Sequence, residues 1–201
     1  MDIDVSKLRG KHIYLELLSS GHREIIRPLA KDGRIWEFNQ MLLLNDNYDA
    51  MYDEYFNTAL DKEKMGSQQS FAIRQMTDNA VIGMTRLYEI SQKEKIASIG
   101  YTWYIPSVWG KVHNKECKLL LIQYIFEVLR FNRVELRAAH QNVRSQKAIE
   151  KIGGVKEGIL RKHGYRNDGA IRHDVVYSII DDEWPGVKEN LLELIAQSQN
   201  V

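Results

Sequence analysis

The chain has 201 residues, 44% of them hydrophobic and 27% charged, with 28 lysines and arginines against 27 aspartates and glutamates and a formal net charge of +1. That length suits one domain with a core of its own and is short for two. The balanced charge offers no broad basic field for nucleic acid, and the single cysteine, Cys117, excludes an intramolecular disulfide and fits a reducing compartment. No signal-peptide pattern opens the sequence and no apolar run approaches the ~20 residues of a membrane span, so the expectation is a cytoplasmic protein, residues 1–201 as one domain, acting without membrane or nucleic acid.

Residues 12–18 alternate, with Ile13, Leu15 and Leu17 on one face, and read as a strand. Ser19 and Ser20 then offer caps for a short helix to about Lys31. A second helix over about 46–64 places Tyr48, Met51, Tyr52, Tyr55, Phe56, Ala59 and Leu60 at the spacing of one buried face. An antiparallel meander follows: strands over 70–76, 80–90 and 96–105, with turns at 77–79 and 92–95 and Pro106 as the end of the third strand. A helix over about 114–130, a strand over 133–140 and a helix from Val143 to Ile152 come next, the last stopped by Gly153 and Gly154. A hairpin over 155–165 and 170–180, turning across 166–169, leads to a closing helix with Pro185 in its first turn. The fold class is therefore mixed α/β: three antiparallel strands, then strand–helix–strand–helix and a terminal hairpin.

The stretch from Ile99 to Ser145 carries the chemistry. A strand runs into the loop Val108-Trp109-Gly110-Lys111-Val112-His113-Asn114, and a long helix starts at once. Loop N–H groups and the unpaired N–H groups of the helix's first turn can converge on an anion such as a diphosphate, where the helix dipole also favours negative charge. The same loop is also a simple polar turn with Asn114 as helix cap.

This order of elements resembles the GNAT superfamily of acyl-CoA-dependent N-acetyltransferases, and within it the Rim-type branch that includes the ribosomal-protein N-terminal acetyltransferases. The resemblance rests on Leu8-Arg9-Gly10, on residues 82–86 (IGMTR), 99–103 (IGYTW), 114–121 (NKECKLLL), 132–136 (NRVEL), 142–145 (NVRS), 148–153 (AIEKIG) and 157–161 (EGILR), and on Asp182-Glu183-Trp184. It implies a central, mostly antiparallel sheet flanked by helices and splayed between the strands at about 96–105 and 133–140. Acetyl-CoA would be the acyl donor and no metal would be needed. Its pantetheine arm would bond like an added strand to Trp103, Tyr104 and Ile105, and its diphosphate would sit on Trp109, Gly110, Lys111, Val112, His113 and Asn114. The family's phosphate loop usually reads Gln/Arg-x-x-Gly-x-Gly/Ala. Here those anchors are Trp109, Val112 and Asn114, so the close approach that glycine allows is expected to shift to Gly110.

The resemblance also implies that Asn142 meets the cofactor arm and that Ser145 protonates the leaving thiolate, although both residues equally suit the start of a helix. Many relatives use a tyrosine seven residues after that Asn; here the position is Ile149, which excludes that acid. A base is needed to take the amine's proton, and Glu89 and His163 are the candidates. Alternation lets only one of Tyr88 and Glu89 face the ligand. Trp36, in a connector over 33–38, and Tyr101 are candidates for the acceptor side; Tyr101 shares a strand face with Trp103. Cys117 reads as packed, not nucleophilic. The expected acceptor is a protein or peptide α-amine. A small-molecule amine and a non-catalytic acyl-CoA-binding domain are the alternatives, with the chain acting as a monomer or homodimer.

Overall fold

The computed structural model describes residues 3–38, 46–166 and 168–198. Seven strands form one sheet in the order β1-β2-β3-β4-β5-β7-β6, with β1 at Ile13–Leu17, β2 at Gln68–Gln75, β3 at Val81–Ser91, β4 at Ile96–Tyr104, β5 at Arg133–Ala139, β6 at Val155–Tyr165 and β7 at Ile171–Ile180. The helices are α1 at Arg23–Leu29, α2 at Gly33–Trp36, α3 at Tyr48–Lys64, α4 at His113–Gln123, α5 at Val143–Lys151 and α6 at Trp184–Gln197. Every neighbouring pair is antiparallel except β4 and β5. The β4–β5 crossover carries α4, as a parallel connection requires.

The sheet has a different neighbour on each face. Ile13, Leu15, Ile73, Leu87, Ile99, Leu136 and Tyr177 pack with α4 and α6 in the larger core, whereas Ala72, Met84 and Trp103 pack with Tyr52, Tyr55 and Phe56 of α3 in a second core. These faces are called the α4 side and the α3 side below. Burial of these apolar faces is the main stabilising contribution.

Two irregularities set the geometry of the central strands. Met84 lies opposite Trp103 but Arg86 lies opposite Gly100, so two steps on β3 meet three on β4, and Tyr101 takes φ +52°. This bulge switches the phase of β4. Ile99 belongs to the α4-side core, while Trp103, four residues on, belongs to the α3-side core. A second bulge between Tyr88 and Ser91 holds Glu89 at φ +50°.

Several expectations are corrected. Trp36 does not sit in an open connector: Asp32 caps α2 by accepting from the Arg34 N–H at 3.1 Å, and the Trp36 indole donates to the Ala30 carbonyl at 2.7 Å. Asn114 does not cap α4, which begins one residue earlier after Val112. The helix expected to reach residue 130 ends at Gln123 and continues as a π-helical turn over Tyr124–Val128, where the Leu129 N–H reaches back five residues to Tyr124 at 3.0 Å. The first helix is split into a 3-10 turn, Ser20–His22, and α1. Of the expected turn at 166–169, Asn167 lies outside the described residues.

Candidate active site

Strands β4 and β5 pair only from Ile96–Arg133 to Ile99–Leu136. Beyond that point β4 continues to Tyr104 and β5 to Ala139, but the two have separated. Backbone groups of β4 that would have bonded to β5 are left facing a cleft of about 1120 Å³. The cleft runs from the Trp109–Lys111 loop past Tyr101 and Thr102 to His163 and Asp174 on the terminal hairpin. Buried strand edges need partners, so this edge is suited to an extended ligand that adds main-chain-like hydrogen bonds.

At one end, Gly110 takes φ +74° and an added Cβ there would meet nothing within 4 Å. Val112, where the family pattern has glycine, takes an ordinary helical φ of −65° and packs in the core. Positive φ is thus required at Gly110 and not at Val112, so the β-branched residue carries no strain. The Glu116 N–H is the first to bond back within α4, to Val112 at 3.0 Å, and the N–H groups of the preceding turn have no intrahelical acceptor. The Trp109 indole donates to the Tyr104 carbonyl at 2.8 Å, and the Arg144 guanidinium lies over the Trp109 ring, 4.4 Å from its centroid. Arg144 is on α5, so this contact bridges the two walls of the cleft.

The other end is built by the hairpin. His163 Nδ1 lies 2.7 Å from Asp174 Oδ2, and Arg172 reaches the same oxygen at 2.8 Å. Asp174 is 3% exposed. A carboxylate that is ionised only accepts, so the bond to Asp174 is made by Nδ1–H, and in the neutral imidazole that tautomer leaves the lone pair on Nε2. Glu89 is differently placed: its carboxylate is held by Arg137 at 2.8 Å and by the Ser98 hydroxyl at 3.3 Å. Because of the bulge at Glu89, both Tyr88 and Glu89 line the cleft, and the alternation that should have admitted only one of them does not apply. Burial pushes the Tyr88 phenol up.

Between the ends stand Asn142 and Ser145. Asn142 Oδ1 accepts from the Ser145 N–H at 3.0 Å and caps α5, which leaves its amide nitrogen and the Ser145 hydroxyl at the cleft wall. Ile149, buried, lines the cleft where the tyrosine acid of other enzymes would stand. Two buried cations were missed by sequence reasoning. On the α4 side, Lys118 donates to Thr102 Oγ1 at 3.2 Å, and burial lowers its pKa. On the α3 side, Arg86 is 1% exposed. The only signal for either was a basic residue inside an otherwise apolar pattern.

A model of the acetyltransferase (GNAT) domain matches residues 12–155. This chain belongs to the GNAT acetyltransferase family. Among its relatives, YdaF of Bacillus subtilis strain 168, named provisionally as a ribosomal N-acetyltransferase, is 38% identical over 113 residues, covering 55% of this chain and 60% of YdaF. The matched region thus falls short of two thirds of that relative's length. A solved acetyltransferase-family protein from T. thermophilus is 32% identical and superposes with a TM-score of 0.82 over 94% of this chain and 96% of its own. Mycobacterium smegmatis RimJ in complex with CoA-disulfide, at 16% identity, shares the fold with a TM-score of 0.77 over 90% of this chain and 88% of its own. The Rim-type resemblance read from the sequence agrees with the name that YdaF carries, and the solved structures uphold the mixed α/β GNAT fold.

Within this GNAT chain the structure gathers Glu89, Tyr101, Trp103, Tyr104, Trp109, Gly110, Lys111, Asn114, Asn142, Ser145 and His163 around one cleft. Four residues expected at the site are set back from it. Trp36 is buried behind the wall, its ring centroid 5.7 Å from that of Trp103 and 6.0 Å from that of Tyr55. The Ile105 N–H is occupied by the Ile82 carbonyl at 2.9 Å. Val112 and His113 are buried, and burial lowers the His113 pKa. Cys117 is fully buried and its thiol pKa is raised by burial, which suits packing. No helix among the described residues is long and apolar enough to cross a membrane. No group of three or more His, Cys, Asp or Glu among them is arranged to hold a metal ion.

Proposed function

We propose that this protein is an acetyl-CoA-dependent N-acetyltransferase that moves an acetyl group to a primary amine by direct attack, the acceptor being a peptide or protein α-amine. The observation that carries this reading is the unpaired edge of β4 beyond Ile99, opening directly onto the cleft between Gly110 and His163. Bound acetyl-CoA would supply the thioester; the roles of the chain's own groups follow from their placement. The α4 first turn, with Gly110, Lys111 and Asn114, holds the diphosphate. The unpaired edge of β4 from Gly100 to Tyr104 orients the pantetheine arm, and its N–H groups polarise the carbonyl. The Asn142 amide nitrogen steadies the arm.

His163 is the base. Its Nε2 is the open nitrogen because Nδ1 is taken by Asp174, and an imidazole near neutrality accepts a proton from an α-ammonium more readily than from a lysine ammonium. Glu89 is held by Arg137 and Ser98, which favours His163 over it. Ser145, on the cleft wall, protonates the thiolate, a modest task for a thiol of pKa about 8.5.

The test is release of CoA thiol from acetyl-CoA across peptides that begin with different residues, with polyamines and amino acids as contrasts. Acceptor-dependent release, lowered about a hundredfold in His163→Ala and only a fewfold in Ser145→Ala, is expected. Tight acetyl-CoA binding with no release over the whole panel would replace this reading by the non-catalytic acyl-CoA-binding one.

A further inference from the structure

Arg86 has no role in holding the acyl donor, yet it lines the cleft. Its guanidinium carbon lies over the Tyr55 ring, 4.5 Å from the centroid, and over the Tyr101 ring at 4.6 Å. Those contacts set the cation over two ring faces, and cation–π attraction offsets part of its desolvation. They do not serve its N–H donors: Nε and Nη2 are buried and have no hydrogen-bond partner among the described residues. A buried charge without a counter-ion is strongly unfavourable.

The cleft's own carboxylates do not meet this need. Glu89 is engaged by Arg137 and Ser98, Asp174 by His163 and Arg172, and Glu54, exposed on α3, forms no ion pair among the described residues. Arg86 is paired with Gly100, the residue next to the last β4–β5 pair. It therefore stands one strand spacing, about 4.8 Å, from the point where β4 opens. On the α3 side, Tyr88 and Tyr101 meet edge to face at 5.2 Å and wall this corner.

We propose that Arg86 is the acceptor anchor: it receives a carboxylate carried a few bonds from the amine that is acetylated. A guanidinium edge matches a carboxylate in a two-point hydrogen bond, and the two tyrosine rings fix the plane in which it presents its donors. The acceptor class is then a carboxylate-bearing primary amine, either a peptide whose first residue is Asp or Glu or a free amino acid. Polyamines, which bring only positive charge to this corner, are excluded. The inference deepens the acetyltransferase reading and rests on it for the word acceptor, but the carboxylate site stands or falls separately.

The experiment uses two matched pairs: C-terminally amidated peptides beginning with Asp or with Asn, and free alanine against alaninamide. For wild type, Arg86→Gln and Arg86→Lys, kcat/KM for thiol release is measured with each. Binding of the same four compounds in the presence of CoA is measured by calorimetry, with acetyl-CoA affinity and thermal melting as controls for folding. Wild type is expected to favour the carboxylate member of one pair by about tenfold or more, and the responding pair tells peptide from amino acid. Arg86→Gln should lose that preference while keeping acetyl-CoA affinity, and Arg86→Lys, which keeps charge but not the two-point geometry, should keep part of it. Equal treatment of both members of both pairs by wild type, in turnover and in binding, overturns the proposal. So does a preference that survives in Arg86→Gln. A carboxylate preference seen in binding with no turnover of any compound would leave the anchor in place and remove the transferase reading instead.

Discussion

Glu116 ties the N-terminal loop to the helix at the Gly110 end of the cleft, and replacing it tests whether that tie holds the site together. Its carboxylate accepts the backbone N–H groups of Lys11, His12 and Ile13, each at 2.8 Å. The side chain is 4% exposed and so close to Gly10 that an added Cβ there would come within 2.5 Å of its carboxyl carbon. Glu116→Ala leaves three donors without their acceptor. The Ile13 N–H is buried and should forfeit about 1.5–3 kcal/mol; the other two are partly reachable by water and should forfeit about 1 kcal/mol each. A loss of about 3.5–5 kcal/mol follows, a large share of the total of a typical domain. For a chain of this size that corresponds to a fall in Tm of about 7–20 °C. Urea unfolding at neutral pH reads the free energy, and calorimetry reads acetyl-CoA affinity, which should weaken because the first turn of α4 loses its fixed partner. Glu116→Gln keeps one carbonyl oxygen and should lose about half as much. A loss under about 1 kcal/mol in Glu116→Ala, with acetyl-CoA affinity unchanged, would refute the reasoning.

Asp174→Asn should remove the group that fixes the His163 tautomer, lowering kcat about tenfold or more while KM for acetyl-CoA stays within about twofold; an unchanged kcat would separate His163 from proton transfer. Lys118→Met should stabilise the protein at pH 7, because burial lowers the folded-state pKa of the amine, so that the unfolded chain binds more protons below the ordinary lysine pKa. The gain in Tm should shrink as pH rises toward 10, and a gain independent of pH would point to packing instead. Glu157 is pushed down to about 2, first by the Arg133 guanidinium and then by the Ser178 hydroxyl. The stability it contributes is fully present above the ordinary glutamate pKa and is lost as pH falls from about 4 to about 2. Since its side chain is 41% exposed, Glu157→Gln should cost only about 0.5–1 kcal/mol at pH 7 and flatten the acid limb of the stability profile.

The site depends on departures from regular structure more than on any single motif. The bulge at Tyr101 allows Ile99 to face one core and Trp103 the other, and it brings Tyr101 onto the same side as Arg86. The bulge at Glu89 turns that residue toward Arg137, where it closes one edge of the cleft. Regular alternation would have buried one of these groups or turned it to solvent.

The sequence alone determined the order of the elements, because hydrophobic period, caps and turn residues act over a few neighbouring positions. The seven strands, the long α3 with its aromatic stripe, the meander turns and the closing hairpin can all be read from such local patterns. It also pointed to the loop at 109–114 and to the cap Asn142 with Ser145 in the first turn after it, where a strand runs directly into a helix start. Tertiary structure alone decided where β4 leaves β5, that both Tyr88 and Glu89 line the cleft, and that Gly110 rather than Val112 bears the positive φ. It alone brought Asp174 to His163 and left Arg86 buried between two tyrosines. Those outcomes depend on the register between strands and on residues far apart in the chain being brought into contact, which no local pattern encodes.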